Sequence, residues 1–562
     1  MTSGAYEQKN LVSPSLVSGI PLQVSAEYSQ DRLIVRYDTE SPRAEASMES
    51  VQAEANELVG ASVVEDMNSG GLPGMQVVQV TGSSLDEAMK LYNASPNVLY
   101  VEPDYKISLS PVETTGKTEN PGELAINTAR YPNDPGFQYL WGLQNTGQAP
   151  FYGTADADID APEAWSVTTG SSSVIVGIID TGVDYTHPDL SANIWQNTAE
   201  VINGKDDDKN GYIDDIRGWN FASKNNNPMD DNGHGTHCAG TIAAIGNNGI
   251  GITGTAWNIR IMPLKFLNAK GTGYTSDAIS AILYAKQKGV SILSNSWSGT
   301  GYSQALKDAI DSSPAVFICA AGNSGADSDV KPQYPAAFTS GNIISVAATD
   351  YKDQLASFSN YGVNSVDIAA PGVNIYSTSR AGNYQYLSGT SMAVPHVTGA
   401  AALLKSKNPS ITGSEIRNAI LRNGDALPSL SGKVSTGSRL NTGRTFGQTV
   451  SPVAPGTKPT IKPTNKPVAS RTNSPGDGSS SKPIAGFSAD PTNGKAPFRV
   501  QFIDQSSGNP DRWTWSFGDG GFSYQKNPSH VYKKKGIYSV RLTVKRGGYS
   551  SSSYRERLIA VT

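Results

Sequence analysis

Cysteine is almost missing from this 562-residue chain. Its two copies, Cys238 and Cys319, cannot build a disulfide framework, and both are expected to be buried thiols. Also missing is any apolar run near the roughly 18 residues that a membrane-spanning helix needs. The opening residues, MTSGAYEQKNLVSPSLVSGI, lack a basic start followed by an unbroken apolar stretch, so they do not read as a secretory signal. Glycine (57) and proline (33) fall well short of a collagen-like composition. A net charge of −5 suggests no strong polarity, but it is an average over unlike parts. From Ser451 onward there are 17 Lys and Arg against 6 Asp and Glu, whereas residues 1–450 carry 28 against 44. An acidic body is joined to a basic tail.

At about 100 to 200 residues per domain, the length implies three or four domains. Residues 1–27 are small and polar without periodicity and read as a disordered leader. Residues 28–108 alternate strand and helix patterns, including the capping box Ser84-x-x-Glu87, and predict a small α+β domain on an antiparallel sheet. Residues 109–130 form a polar connector. Across 131–447, short apolar runs alternate with amphipathic helices, which predicts an α/β domain whose parallel sheet is covered on both faces. Residues 448–482 form a Pro-rich linker, with six prolines and no aromatic residue after Ser451. Residues 483–562 show alternating runs and Gly/Asn/Pro turns, as in a β-sandwich.

Three segments carry chemistry: Val176-Gly-Ile-Ile-Asp180-Thr-Gly, His234-Gly-Thr-His237-Cys238, and Gly389-Thr-Ser391-Met-Ala-Val-Pro-His396. Asp180 ends an apolar strand, while His234 and Ser391 each open a helix, the places where a parallel sheet exposes its chemistry. A serine hydroxyl is a weak nucleophile until an imidazole takes its proton, and the imidazole needs an anion to fix its tautomer. A fourth segment, Ala320-Ala321-Gly322-Asn323, can aim an amide at a developing oxyanion, with the Ser391 N–H as second donor. His237 and His396 share helix faces with these residues and are expected to be packed. The pair His234 and His237 with Cys238 lacks the i, i+4 histidines and adjacent Glu of a zinc peptidase helix.

Between Asp206 and Asp215 lie five carboxylates in ten residues, with Gly211 at the turn. Alternating oxygen donors before a glycine suit a hard cation, although Arg217 stands where an EF-hand has its closing Glu. The expected ligands for Ca²⁺ are Asp206, Asp208, Asn210, the Tyr212 carbonyl and Asp215.

The ordered motifs around Asp180, His234, Asn323 and Ser391 resemble the subtilisin family of serine endopeptidases over about Tyr131–Phe446; Val394 departs from the small residue usual there. The resemblance implies a Ca²⁺-stabilised peptidase of broad specificity with an apolar preference. Its substrate would lie between Gly271-Thr272-Gly273 and Ser296-Trp297-Ser298, with a side-chain pocket at Ala320, Ala321 and Gly322. It also implies a second Ca²⁺ site at Asp134, Asp189 and the loop Asn248, Ile250 and Ile252. Residues 28–108 resemble the subtilisin-type propeptide, implying an intramolecular inhibitor removed by a cut between Tyr105 and Asn133. Residues 483–562, with Trp515-Ser-Phe517-Gly-Asp519-Gly520, resemble a PKD-type sandwich, implying contact with an extracellular polymer or surface. The precursor architecture implies secretion, with protein or peptide substrates, no nucleic acid partner and no membrane span. The rival expectation is an inactive member of the same fold acting through its PKD-like module.

Overall fold

The structure, a computed structural model, describes residues 26–39, 48–68, 70–114, 131–447 and 483–562, the last without 509, 511, 520–521, 524 and 547–548. The leader, most of the connector after 109 and the Pro-rich linker thus lie outside the described residues. The chain divides into two units, Met1–Thr457 and Lys458–Thr562.

The first unit is organised by a nine-stranded sheet. In spatial order its strands are Asp425–Ala426, Ser438–Arg439, Ile368–Pro371, Ile343–Thr349, Val316–Ala320, Ile292–Asn295, Ile175–Asp180, Arg260–Lys265 and Trp219–Asn220. All neighbours run parallel except the first pair. Because both faces are covered, the strands are continuous apolar runs, and Val316–Ala320 and Ile343–Thr349 are buried at every position. One face packs on the helices His234–Ala243 and Thr390–Lys407, and the other on Thr275–Gln287 and Gln304–Asp311. Gly177 leaves room for the side chain of its cross-strand neighbour, since a Cβ there would stand 2.6 Å from Leu293. Among the described residues, no helix is long and apolar enough to cross a membrane.

The N-terminal domain is an antiparallel sheet of Tyr28–Tyr37, Ala61–Asp66, Met75–Val80 and Val98–Ser108, backed by the helices Met48–Val59 and Leu85–Ala94. The final strand, which reads from the sequence as Val98–Glu102, runs on to Ser108 because its end finds a partner in the domain of residues 131–447. Lys106, Ile107 and Ser108 pair antiparallel with Tyr274, Gly273 and Thr272, so the sheet of one domain takes a fifth strand from the other. Two buried carboxyl groups orient this docking by accepting hydrogen bonds at helix N-termini, whose first N–H groups have no partner within the helix. Glu102 accepts from the Gln304 and Ala305 N–H groups and from Ser303. Asp104 accepts from the Ser276 N–H (3.0 Å) and hydroxyl (2.8 Å) and pairs with Arg32 at 2.9 Å.

The second unit is a sandwich of a three-stranded sheet (Phe487–Asp490, Phe498–Asp504, Ser529–Tyr532) and a five-stranded sheet containing Arg512–Ser516, Gly536–Arg546 and Tyr549–Val561. Its core is Phe487, Phe502, Trp515, Phe517 and Tyr532 with Val540, Leu542 and Val544.

Two outcomes follow for docking in a Ser391→Ala chain, read as urea transitions. Asp104→Ala, which strands Arg32, should destabilise the docked N-terminal domain by about 3–5 kcal/mol. Burial pushes Glu102 up to about 7 from 4.5. The docked state therefore holds a proton that the free domain releases, so docking is fully supported below about pH 4.5 and weakens as pH rises through about 7. Glu102→Gln should flatten that dependence.

Candidate active site

Asp180 is the last residue of its strand and His234 the first of its helix, and the packing of that helix on the sheet brings them together. His234 Nδ1 lies 2.8 Å from Asp180 Oδ1, with both side chains almost fully buried. Burial alone would lower the His234 pKa. The charge and hydrogen bond of Asp180, with the charge of Asp230, overcome it and leave the imidazole raised. The close approach requires glycine at 235, because a Cβ there would overlap the Gly182 carbonyl and stand 3.2 Å from the Asp180 carboxylate. Among the described residues, His234 Nε2 is buried and has no hydrogen-bond partner.

Ser391 sits in the first turn of the helix Thr390–Lys407. In this structure its hydroxyl donates to the Ser296 carbonyl at 3.0 Å. Asn323, just after the strand Val316–Ala320, is held by its amide oxygen, which accepts from the Thr390 N–H and hydroxyl, both at 2.8 Å. That leaves the amide nitrogen to face the cleft, where it donates to the Pro111 carbonyl at 3.1 Å. The four residues thus come from four separate segments onto one end of the sheet. His237 and His396 are packed as expected: their rings bond to the carbonyls of Ile375 and of Met392, and burial pushes them down to about 3 and about 4. Cys238 and Cys319 are free and buried.

The cleft is filled by the chain's own segment. Besides the pairing at Thr272–Tyr274, the Leu109 N–H donates to the Gly271 carbonyl at 2.9 Å. Ser108 bridges to Ser298, and the Ser110 and Ser298 hydroxyls lie 3.2 Å apart. Glu113–Thr114 then pairs with Leu387–Ser388, just before Ser391 in the chain. Trp297, which the sequence leaves open between packing and substrate contact, is 1% exposed and packs its ring edge-on against Phe266. Ala320 and Ala321 are buried, and Gly322 at φ +106° lies where a Cβ would meet the Asn360 amide at 2.5 Å.

The side chains expected at the two cation sites are only partly brought together. Asp189 accepts from the Asn248 amide (2.7 Å), the Ile252 N–H (2.8 Å) and the Tyr384 hydroxyl (3.1 Å), and Asp134 accepts from the N–H groups of Asn247, Asn248 and Gly249. Burial raises both carboxyls, Asp189 to about 6, and the charge of Asp134 adds to the rise at Asp189. Ile250 belongs to the same loop, which closes on Asp189 so tightly that a Cβ on Gly251 would overlap its carboxylate and the Tyr384 hydroxyl. Two buried acids here supply the carboxylate oxygens that a hard divalent cation takes, although in this structure N–H and hydroxyl donors meet them. In the acidic loop, oxygens of Asp208, Asp215 and Glu200 converge within 4.8 Å. Asp206 instead caps Asn210 and Gly211, Asn210 bonds to Asp215, and Tyr212 packs its ring against Trp219 and Tyr284. Lys288 places its ammonium 2.5 Å from Asp208 and 3.2 Å from Asp215, so part of this charge is already met by the protein. Glu200 and Lys288 were not legible as partners, because each lies in a segment with no motif of its own.

Comparison with known proteins agrees with this geometry. Residues 171–448 match the subtilase family, residues 17–104 the fervidolysin N-terminal prodomain and residues 480–559 the PKD domain. The chain is 36% identical over 430 residues to a thermophilic serine proteinase of Bacillus sp. (strain AK1), covering 75% of this chain and 89% of that one. It is 40% identical over 272 residues to thermitase of Thermoactinomyces vulgaris, covering 48% and 87%. The crystal structure of fervidolysin from Fervidobacterium pennivorans shares the fold, with a TM-score of 0.60 at 22% identity over 96% of this chain and 77% of that one. Three matched segments in this order, together with two relatives covered over most of their length, show that the chain belongs to the subtilase family of serine proteases, with a prodomain before the peptidase and a PKD domain after it.

Proposed function

We propose that Ser391 is the nucleophile of a serine endopeptidase, with His234 as general base, Asp180 as its orienting anion, and Asn323 with the Ser391 N–H as oxyanion donors. The observation that carries this reading is the 2.8 Å His234–Asp180 contact in the same cleft as Asn323, whose amide already holds a peptide carbonyl. Rotation of the Ser391 hydroxyl from the Ser296 carbonyl toward Nε2 of His234 would let the imidazole take its proton as Oγ attacks. The negative charge that develops on the substrate oxygen then lies against the Asn323 amide. His234 returns the proton to the leaving amine, and water completes hydrolysis by the same relay.

The first substrate is the chain itself. The carbonyl that Asn323 holds belongs to Pro111, which marks Pro111–Val112 as the bond for prodomain release. Before that cut, residues 106–114 block the cleft as a strand paired on both sides, and the main-chain pairing accounts for broad specificity toward later substrates. Ca²⁺ would be held by Asp134, Asp189 and Asn248, and by Glu200, Asp208 and Asp215, with Asp206 and Asn210 shaping that loop. There it would neutralise carboxylates that otherwise oppose each other. The domain limits 28–108, 131–447 and 483–562, secretion, and contact of the basic PKD domain with an extracellular polymer belong to the same proposal.

Ser391→Ala should abolish both fluorophosphonate labelling and loss of the N-terminal domain; processing of that variant when purified alone would sink self-maturation. N-terminal sequencing of the mature enzyme should begin at Val112. Asn323→Ala should lower kcat by about 10²–10³ with the fold retained, the effect known for this donor in subtilisin itself. Chelation with EGTA should lower the Tm of the unsubstituted enzyme, and Asp189→Asn should remove much of that response.

A further inference from the structure

Asp230 is a second carboxylate beside the catalytic pair, 2% exposed and four residues before His234. Five donors converge on it. Oδ1 accepts from the Thr181 hydroxyl at 2.9 Å and from the N–H groups of Asn232 and Gly233 at 2.9 and 2.8 Å. Oδ2 accepts from the Thr236 N–H at 2.9 Å and its hydroxyl at 2.6 Å. The Thr181 hydroxyl, having donated to Asp230, accepts from the Gly235 N–H at 2.9 Å. Thr181 follows Asp180 in the chain, and Gly235 follows His234. The residue after each member of the pair is thus tied to the other, and the knot is Asp230.

We infer that Asp230 is a positioning residue for catalysis, clamping the strand end that carries Asp180 to the helix start that carries His234 and holding a fixed negative charge beside the imidazole. The clamp rests on the Asp180–His234–Ser391 reading and adds to it a member that touches no substrate. Only a carboxylate serves all five donors, because both of its oxygens accept and neither donates. An asparagine would turn an NH₂ group toward one set of N–H and O–H donors. His234 is faced by Asp180 from its strand and Asp230 from the preceding loop. From its own helix it is faced by His237, held neutral by burial, and by the buried thiol of Cys238. Lys265 lies alongside, but its ammonium is already engaged by the Thr181 and Leu267 carbonyls and by Asp231.

The test uses processed full-length enzyme, a chromogenic peptide and active-site titration with a fluorophosphonate probe. For Asp230→Asn, kcat per labelled site should fall about 10- to 100-fold with KM nearly unchanged, the scale of charge-assisted bonds lost around the reacting groups. The acid limb of its kcat/KM profile should move to lower pH, because a charge that favours the imidazolium is gone. Thr181→Val keeps that charge and cuts only the bridge, so its kcat should fall with the limb in place. Full turnover per labelled site in Asp230→Asn, or an acid limb that does not move, overturns the inference. If Asp230→Asn yields no folded enzyme, Thr181→Val decides alone, and unchanged kcat there overturns the clamp. Absence of label in the unsubstituted enzyme would instead overturn the triad reading, a separate failure.

Discussion

Almost everything in the peptidase domain serves one awkward contact, an imidazole and a carboxylate held 2.8 Å apart out of water. Burying either group alone is costly, and burying both is tolerable only if the remaining lone pairs and protons are placed. The parallel sheet supplies the place, because its strand ends are fixed by ladders on both sides. The glycine after His234 allows the helix to come close enough. Asp180 also takes the N–H of Thr181 at 2.7 Å, so the carboxylate is anchored before it meets the ring.

The same sheet logic explains how the precursor is restrained. A strand of the N-terminal domain does not lie across the cleft as a loose plug; it continues a sheet into Thr272–Tyr274 and emerges to pair again at Leu387–Ser388. Main-chain groups do most of this work. The buried caps at Glu102 and Asp104 add orientation, since each is fitted to one helix start. An extended segment held at both ends presents its carbonyl to Asn323 without side-chain recognition at every position.

The proposed triad was legible because its members sit in dense local motifs, each naming its own structural context: a strand end for Asp180 and helix starts for His234 and Ser391. The parallel sheet was legible for the same reason, since doubly buried strands are unbroken apolar runs. Other features depend on long-range packing and leave little local trace. The strand after Val98 reads as five residues until a partner is found for its end. Trp297 lies in a cleft motif but turns its ring inward toward Phe266. Glu200 and Lys288 join the acidic loop from segments that look like ordinary surface. Asp230 stands within sight of His234 in the sequence, yet nothing there reveals that the Thr181 hydroxyl will reach it from another strand.

Thr390 holds the oxygen of the Asn323 amide with both its N–H and its hydroxyl, and it is bonded covalently to Ser391. The proposed nucleophile and oxyanion donor are therefore not independently adjustable parts. Any shift of the helix that carries Ser391 takes the anchor of Asn323 with it, so a partly assembled site loses attack and charge stabilisation together. During folding this makes activity a late, all-or-none property. A half-formed chain has no weakly competent cleft with which to digest its neighbours.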